Sequence, residues 1–270
     1  MKTWLITGAS RGFGLRIAQA ALDAGDRVIA TARNPQSIPL QAHPRLVVAK
    51  LDVTDEAEAR RVVADAGRID VLVNNAGFGL LGGVEESSAE EIEKLFRTNV
   101  FGLLAVTRAV LPVMRQQRSG HVINLSSIGG YRSGAGFGVY CSTKFAVEGL
   151  SEALHEELAP LGIHVTVVEP GYFRTDFLDE ASLTRAAKII PDYAETSGAT
   201  RTRATAINHQ QPGDPAKLAT ALLELVKLKQ PPLRLALGSD TVKGIEDKNA
   251  FVARELAAHR ALSLSTDFTS

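Results

Sequence analysis

"TWLITGASRGFGLRIAQAALDAG", residues 3–25, decides how this chain begins to fold. "TWLIT" is a short apolar run of the kind that forms a buried strand, and from Leu15 onward apolar residues recur at helical spacing until Gly25 stops the run. Between them lie Gly8, Gly12 and Gly14, separated by three residues and then one, which differs from the spacing GxGxxG. A strand, a glycine turn and a helix in that order bring unpaired helix N–H groups and a partial positive charge beside backbone that a ligand can approach closely. That combination favours a pyrophosphate. Standing alone, such a run is equally readable as a structural turn.

The same alternation continues outward. "RVIATAR" (27–33), "LVVAKLDV" (46–53), "IDVLVNNAG" (69–77), "GHVINLSS" (120–127), "HVTVVEPG" (164–171) and "LRLALG" (233–238) read as further strands. Helical patterns separate them over Glu56 to Ala66, from Ser88 through "TNVFGLLAVTRAVLPVM", and from Tyr140 onward. Nearly continuous apolar strands between amphipathic helices predict an α/β fold: a doubly wound, parallel, seven-stranded sheet with helices on both faces. No linker divides the chain, so residues 1–270 are expected to form a single domain. The stretch from Tyr172 to Pro212 breaks the alternation and reads either as a substrate lid after the sixth strand or as a surface excursion.

Composition narrows the function. The chain has 30 basic and 30 acidic residues and a formal net charge of +0, so it offers no basic field for nucleic acid. Six histidines are scattered without metal-ligand spacing, and no metal is expected. No apolar run reaches the roughly 18 residues that a membrane span needs. The lone Cys141 excludes an internal disulfide and fits a reducing, cytoplasmic setting. The opening "MKTWLITGAS" goes straight into a strand, so no secretory leader is expected. His121 and His155 read as solvated or structural.

The second strand ends at Ala32 and Arg33, where dinucleotide-binding sheets commonly carry a carboxylate for the ribose 2′-OH. Without that carboxylate nothing repels a 2′-phosphate, and Arg33 and Arg11 offer guanidiniums to pair with it. These two arginines predict NADP(H) rather than NAD(H); the plainer reading is two solvated surface arginines.

Ordered pieces along the chain then carry a likeness: "TGASRGFG", "LDV" ending at Val53, "NNAG" at 74–77, "TNVFG" around Asn99, "INLSS" ending at Ser127, "YCSTK" at 140–144 and "EPGYFRT" ending at Thr175. The chain resembles the short-chain dehydrogenase/reductase family in its single-domain branch with the TGxxxGxG turn. In "TARN", "NVFGLLAVTRAVLPVM" and "PLRLALGSD" it is similar to the 17β-hydroxysteroid-dehydrogenase-like members, whose substrates are too varied for the label to indicate steroids. The resemblance implies a Rossmann-fold oxidoreductase. It implies that Gly8, Ser10, Arg11, Gly12, Phe13 and Gly14 cradle the cofactor. It implies that Asp52 and Val53 meet the adenine ring, that Asn75, Ala76 and Gly77 pass the adenine ribose, and that Pro170, Gly171 and Thr175 hold the nicotinamide end. It implies Asn99, Ser127, Tyr140 and Lys144 as catalytic residues, with Asn99 holding a water beside Lys144. It also implies a homodimer or homotetramer formed by the helices after Asn99 and Tyr140.

The chemistry of carbonyl reduction accounts for the pair in "YCSTK". A carbonyl that accepts a hydride needs a proton, and the donor must lie within hydrogen-bond reach of its oxygen. Tyr140 and Lys144 stand one helical turn apart on one face, so the ammonium is expected to lower the phenol's pKa. By the resemblance it also holds the nicotinamide ribose. Ser127, at a strand end, can donate to the developing oxyanion, and Ser126 is the lesser candidate. Cys141 is expected to face away from Tyr140 as a packing residue. Tyr172, Phe173, Phe177, Leu178 and Leu183 are expected to line an apolar pocket or to anchor the lid, and Arg201 and Arg203 stand in the lid without a visible anion cradle. Together these readings predict an NADP(H)-dependent oxidoreductase acting on a small ketone, aldehyde or alcohol with a hydrophobic body. The alternative is a catalytically silent NADP(H)-binding regulator of the same fold.

Overall fold

Trp4, Leu5 and Ile6 are shut off from solvent on both faces of their strand, as the middle strand of a covered sheet must be. In the computed structural model, which describes residues 1–268, this strand is β1 (Thr3–Ile6). It is followed by β2 (Arg27–Ala32), β3 (Leu46–Lys50), β4 (Val71–Asn74), β5 (Gly120–Leu125), β6 (Ile163–Pro170) and β7 (Arg234–Leu237). The seven form one sheet in the order β3-β2-β1-β4-β5-β6-β7, with every pairing parallel. The order reverses between β1 and β4, and in a doubly wound sheet that crevice is where a dinucleotide binds.

Alternation along β1 builds both cores. Trp4 and Ile6 point to the face covered by α1 (Gly12–Asp23) and α7 (Pro215–Leu225), with Ile17, Leu22, Leu218 and Leu222. Leu5 points to the other face, where α2 (Glu56–Ala66) and α4 (Leu103–Gln117) bring Val62, Val106, Val110 and Met114. At roughly 1.5–3 kcal/mol for each fully buried large aliphatic side chain, these two layers hold the strand ends in register.

Three departures from the sequence expectation matter for the site. The helix expected from Ser88 is not continuous: α3 (Ala89–Phe96) passes into a π-helical segment, Arg97–Gly102, before α4 begins. Such insertions recur at functional sites, and Asn99 sits inside this one. The helix bearing Tyr140, α5 (Gly138–Leu158), starts two residues earlier than its first polar signal. The segment after β6 is folded rather than irregular. It carries a short strand, Leu183–Arg185, paired in parallel with Gly79–Leu81, and a helix, α6 (Ala199–Ala206). Beyond β7 come α8 (Ser239–Ala258) and α9 (Arg260–Leu264). No described helix is long and apolar enough to cross a membrane.

Candidate active site

The glycine turn and the turn after β4 hold one another. Asn75 Nδ2 donates to the carbonyls of Thr7 and Gly8 at 2.9 and 3.0 Å, while Thr7 Oγ1 accepts from the Asn75 and Ala76 amides at 2.9 and 3.0 Å. Gly8 has φ +67°, and a Cβ on Gly14 would stand 2.4 Å from the Gly8 carbonyl oxygen. Neither position accepts a side chain without moving the turn. The N-terminus of α1 has no side-chain cap and no acid in its first turn, so its amides remain available to an anion.

A cleft of about 1040 Å³ opens above this turn. Ser10, Arg11, Gly12 and Phe13 border it at one side, and Ala32, Arg33, Asp52 and Val53 at the far end. Asn75, Ala76, Gly77, Pro170, Gly171 and Thr175 complete the wall. Gly14 is the one member of the expected cradle that does not line the cleft; it is buried behind Gly8. Arg11 reaches across to the segment after β6, donating to the Ala181 carbonyl at 2.5 Å and to Ser182 Oγ at 3.0 Å. Arg33 is exposed on the cleft wall. Asp52 uses one carboxylate oxygen to accept from Thr54 N and Oγ1, at 2.9 and 2.7 Å.

At the other end Tyr140, Lys144 and Ser127 share the cleft wall. The Tyr140 ring lies 5.5 Å from that of Phe177 and 6.1 Å from that of Phe137, and the residue is 7% exposed. Burial pushes its phenol well above the ordinary tyrosine value, with the Cys141 thiol adding to the rise and the Ser127 hydroxyl opposing it. The net direction is opposite to the lowering expected from Lys144, and burial is its largest cause. Lys144 is itself brought down to about 8 by burial, with the Glu148 carboxylate acting the other way. Its Nζ donates to the Leu125 carbonyl at 2.8 Å and lies 5.8 Å from the Tyr140 ring centroid.

Ser127 Oγ accepts the Gly129 amide at 3.0 Å, which leaves its own proton free for an oxygen in the cleft. Ser126 also borders the cleft, though it is nearly buried. Asn99 stands inside the π-helical segment. Its side chain donates to the Phe78 carbonyl at 2.9 Å and to Thr143 Oγ1 at 3.2 Å, and accepts the Phe78 amide at 3.1 Å. It is 2% exposed and does not border the cleft, so its side chain is a brace for the turn after Gly77.

Tyr172, Phe173, Phe177 and Leu178 line the cleft, but Leu183 is buried beneath it with Leu81 and Ala204 and serves as an anchor. Cys141 packs as expected, yet it also borders the cleft near Tyr140 rather than facing away, because the cleft wraps around the first turn of α5. Arg201 has an acceptor that the sequence did not reveal: the buried carboxylate of Glu86. His121 is structural, bonded to Thr166 Oγ1 at 2.9 Å and lowered to about 3 by burial.

The short chain dehydrogenase family profile matches residues 2–186. With the sheet order and the tyrosine–lysine wall already in place, the chain belongs to the short-chain dehydrogenase family. It is 45% identical to a short-chain dehydrogenase from Streptomyces avermitilis, with a TM-score of 0.92 over 99% of this chain and 100% of that one. A 3-ketodihydrosphingosine reductase from Bacteroides thetaiotaomicron is 40% identical and covers 87% of each chain. A serine dehydrogenase solved with NADP+ is 29% identical, with a TM-score of 0.73 over 87% of this chain and 94% of that chain.

Proposed function

We propose that this oxidoreductase reduces a ketone or aldehyde bearing a hydrophobic body, or oxidises the corresponding alcohol, with NADP(H). The observation that carries the reading is the convergence of Tyr140, Ser127 and Lys144 with the glycine cradle on the wall of one cleft. The residues fit the cofactor: the uncapped start of α1 suits a pyrophosphate, and Arg33, exposed on the cleft wall, suits a 2′-phosphate, while the Arg11 guanidinium is held by Ala181 and Ser182. The serine dehydrogenase solved with NADP+ supports the same choice. When bound, NADPH supplies the hydride.

The chain's own residues supply the rest. Tyr140 keeps its proton at neutral pH because of its burial, which makes it a donor to the carbonyl oxygen as the hydride arrives. Ser127, anchored by the Gly129 amide, donates a hydrogen bond to the same oxygen as charge develops. Lys144 stabilises the phenolate left behind. Tyr172, Phe177 and Leu178 present apolar surface to the remainder of the substrate, and the segment from Tyr172 to Pro212 acts as its lid. The reductase of a long-chain ketone among the relatives is in keeping with that apolar wall. We place the protein in the cytoplasm as a homodimer or homotetramer.

The test is NADPH consumption against ketones and aldehydes of graded size, with Tyr140→Phe beside the parent. The expected outcome is turnover that rises with apolar bulk, and a loss of about 10²–10⁴-fold in the variant with NADPH binding retained. Turnover unchanged by Tyr140→Phe would overturn the mechanism. NADPH binding without turnover on any substrate would favour the regulator.

A further inference from the structure

One turn along α5 from Lys144 lies a cluster of charges that the mechanism above does not use. Glu148 follows Lys144 by one turn on the same face of α5, so the two side chains are neighbours. It is buried, as is Glu169 on β6. Arg234 on β7 donates to Glu148, to Glu169 at 2.9 Å, and to Glu152 on α5. Tyr131 lies over the same guanidinium, 5.7 Å from its centre. Three carboxylates thus face one guanidinium, and two of them are buried.

One guanidinium cannot satisfy that set. Beyond Arg234, Glu148 has only the Ser126 hydroxyl beside its Oε1, and neither atom has a further hydrogen-bond partner. The two crowd the same space over Gly130, where a Cβ would meet them at 2.8 and 2.3 Å. Two net negative charges remain after Arg234 is counted, and Lys144, buried one turn away on α5 and bonded through Nζ only to the Leu125 carbonyl, is the cation within their field.

We propose that Glu148 is a positioning residue that acts through Lys144: its carboxylate, held by Arg234, is the counter-charge that keeps the buried Lys144 ammonium protonated at working pH. This rests on the reading of Tyr140 and Lys144 above. The cluster explains why a carboxylate is retained at a depth where an unpaired one would be costly. It also explains why Lys144, deprived of water, still carries its charge near neutrality.

The sign of the effect follows from the groups that face Glu148: Arg234 and Lys144 as cations, Glu169 and Glu152 as anions, and the Ser126 hydroxyl. Burial raises the Glu148 carboxyl to about 7, with the Ser126 hydroxyl opposing the rise, Glu169 adding to it and Arg234 opposing it. Above that pH Glu148 is ionised and supports the ammonium, whose own value is about 8. Without the carboxylate the charged form of Lys144 loses its partner and titrates at lower pH.

The experiment is the pH profile of kcat/KM and of NADPH affinity for the parent, Glu148→Gln, Arg234→Gln and Glu152→Gln. In the parent the alkaline limb is expected near pH 8. Glu148→Gln is expected to move it down by about one to two pH units. Arg234→Gln leaves Glu148 protonated and is expected to move the limb the same way, so the prediction survives if one variant fails to fold. Glu152→Gln, which removes only an exposed carboxylate, should leave the limb in place. Profiles of both buried-site variants that superimpose on the parent would refute the proposal, as would a limb shifted to higher pH. If the parent turns nothing over at any pH, the catalytic reading fails, while NADPH affinity against pH still reports whether Glu148 holds the charge on Lys144.

Discussion

Removing a phenol from water makes it hold its proton, so in the proposed mechanism Tyr140 gives one up only as an alkoxide forms close by. The same burial makes its neighbour Lys144 reluctant to carry charge, and the two effects are resolved together at one site. At the adenosine end the decisive residues are plainer. Ala32 gives β2 a neutral end and Arg33 stands exposed beside it on the cleft wall. Placing Asp at position 32 and Ala at position 33 restores an acceptor for a ribose hydroxyl and removes a cation. The double variant Ala32→Asp, Arg33→Ala is therefore expected to reverse the cofactor preference, raising kcat/KM with NADH relative to NADPH by about 10²-fold or more, or roughly 3 kcal/mol. A parent that already prefers NADH in the same assay would show that Arg33 and Arg11 have no part in the choice.

At the level of elements, the proposed lid is fastened to the body by carboxylates in and beside the turn Val84–Glu86. Glu86 accepts from the Ile190 amide at 2.9 Å, from Ser197 Oγ at 3.0 Å, and from Arg201. Beside it Tyr193 donates to Glu85 at 2.7 Å and the Ala187 amide to Glu91 at 3.2 Å. The Ile190 amide, with the other donors, holds the Glu86 carboxyl down to about 2 from its ordinary 4.5 against the opposing effect of burial. Its contribution to stability is therefore complete above about pH 4.5 and fades as the pH falls toward 2. Glu86→Gln leaves Arg201 buried without its counter-charge and is expected to cost about 3–5 kcal/mol. The loss should be concentrated in the lid, so residues 187–206 should exchange amide protons faster and be cut first by protease. Equal protection in parent and variant would mean that the apolar anchors Leu178 and Leu183 hold the lid alone. The π-helical segment around Asn99 had no comparable signal in the sequence. Its one visible cue is Gly102, where a Cβ would come within 2.6 Å of Val53 Cγ2, a contact between residues far apart in the chain.

For the whole molecule, the sheet delivers residues from β1, β4, β5 and β6 to a single edge, and α5 supplies the tyrosine and lysine across it. Phe101, just before α4, and Phe145 on α5 remain 59% and 45% exposed, more than a core-forming residue usually shows. Covering them against a second copy is in keeping with the proposed oligomer. Light scattering on an eluting peak is expected to give at least twice the 28.8 kDa chain mass, and Phe101→Asp with Phe145→Asp is expected to return it to the monomer. A parent that elutes as a monomer would remove the oligomer from the proposal.

Much of this was legible in one dimension. Strand and helix order, the parallel sheet, the glycine cradle and the Tyr140–Lys144 spacing are all local patterns, because periodicity and glycine placement report backbone geometry over a few residues. What only the tertiary structure decided depends on depth and on distant partners. Burial reversed the expected shift of Tyr140, since desolvation comes from residues such as Phe137 and Phe177 that spacing does not bring to notice. Asn99 was turned into a brace for Phe78, and Arg201 was given to Glu86. Glu148, Glu169 and Arg234 lie on three separate elements, so their charges meet only when β6 and β7 close against α5, and no stretch of sequence contains that meeting.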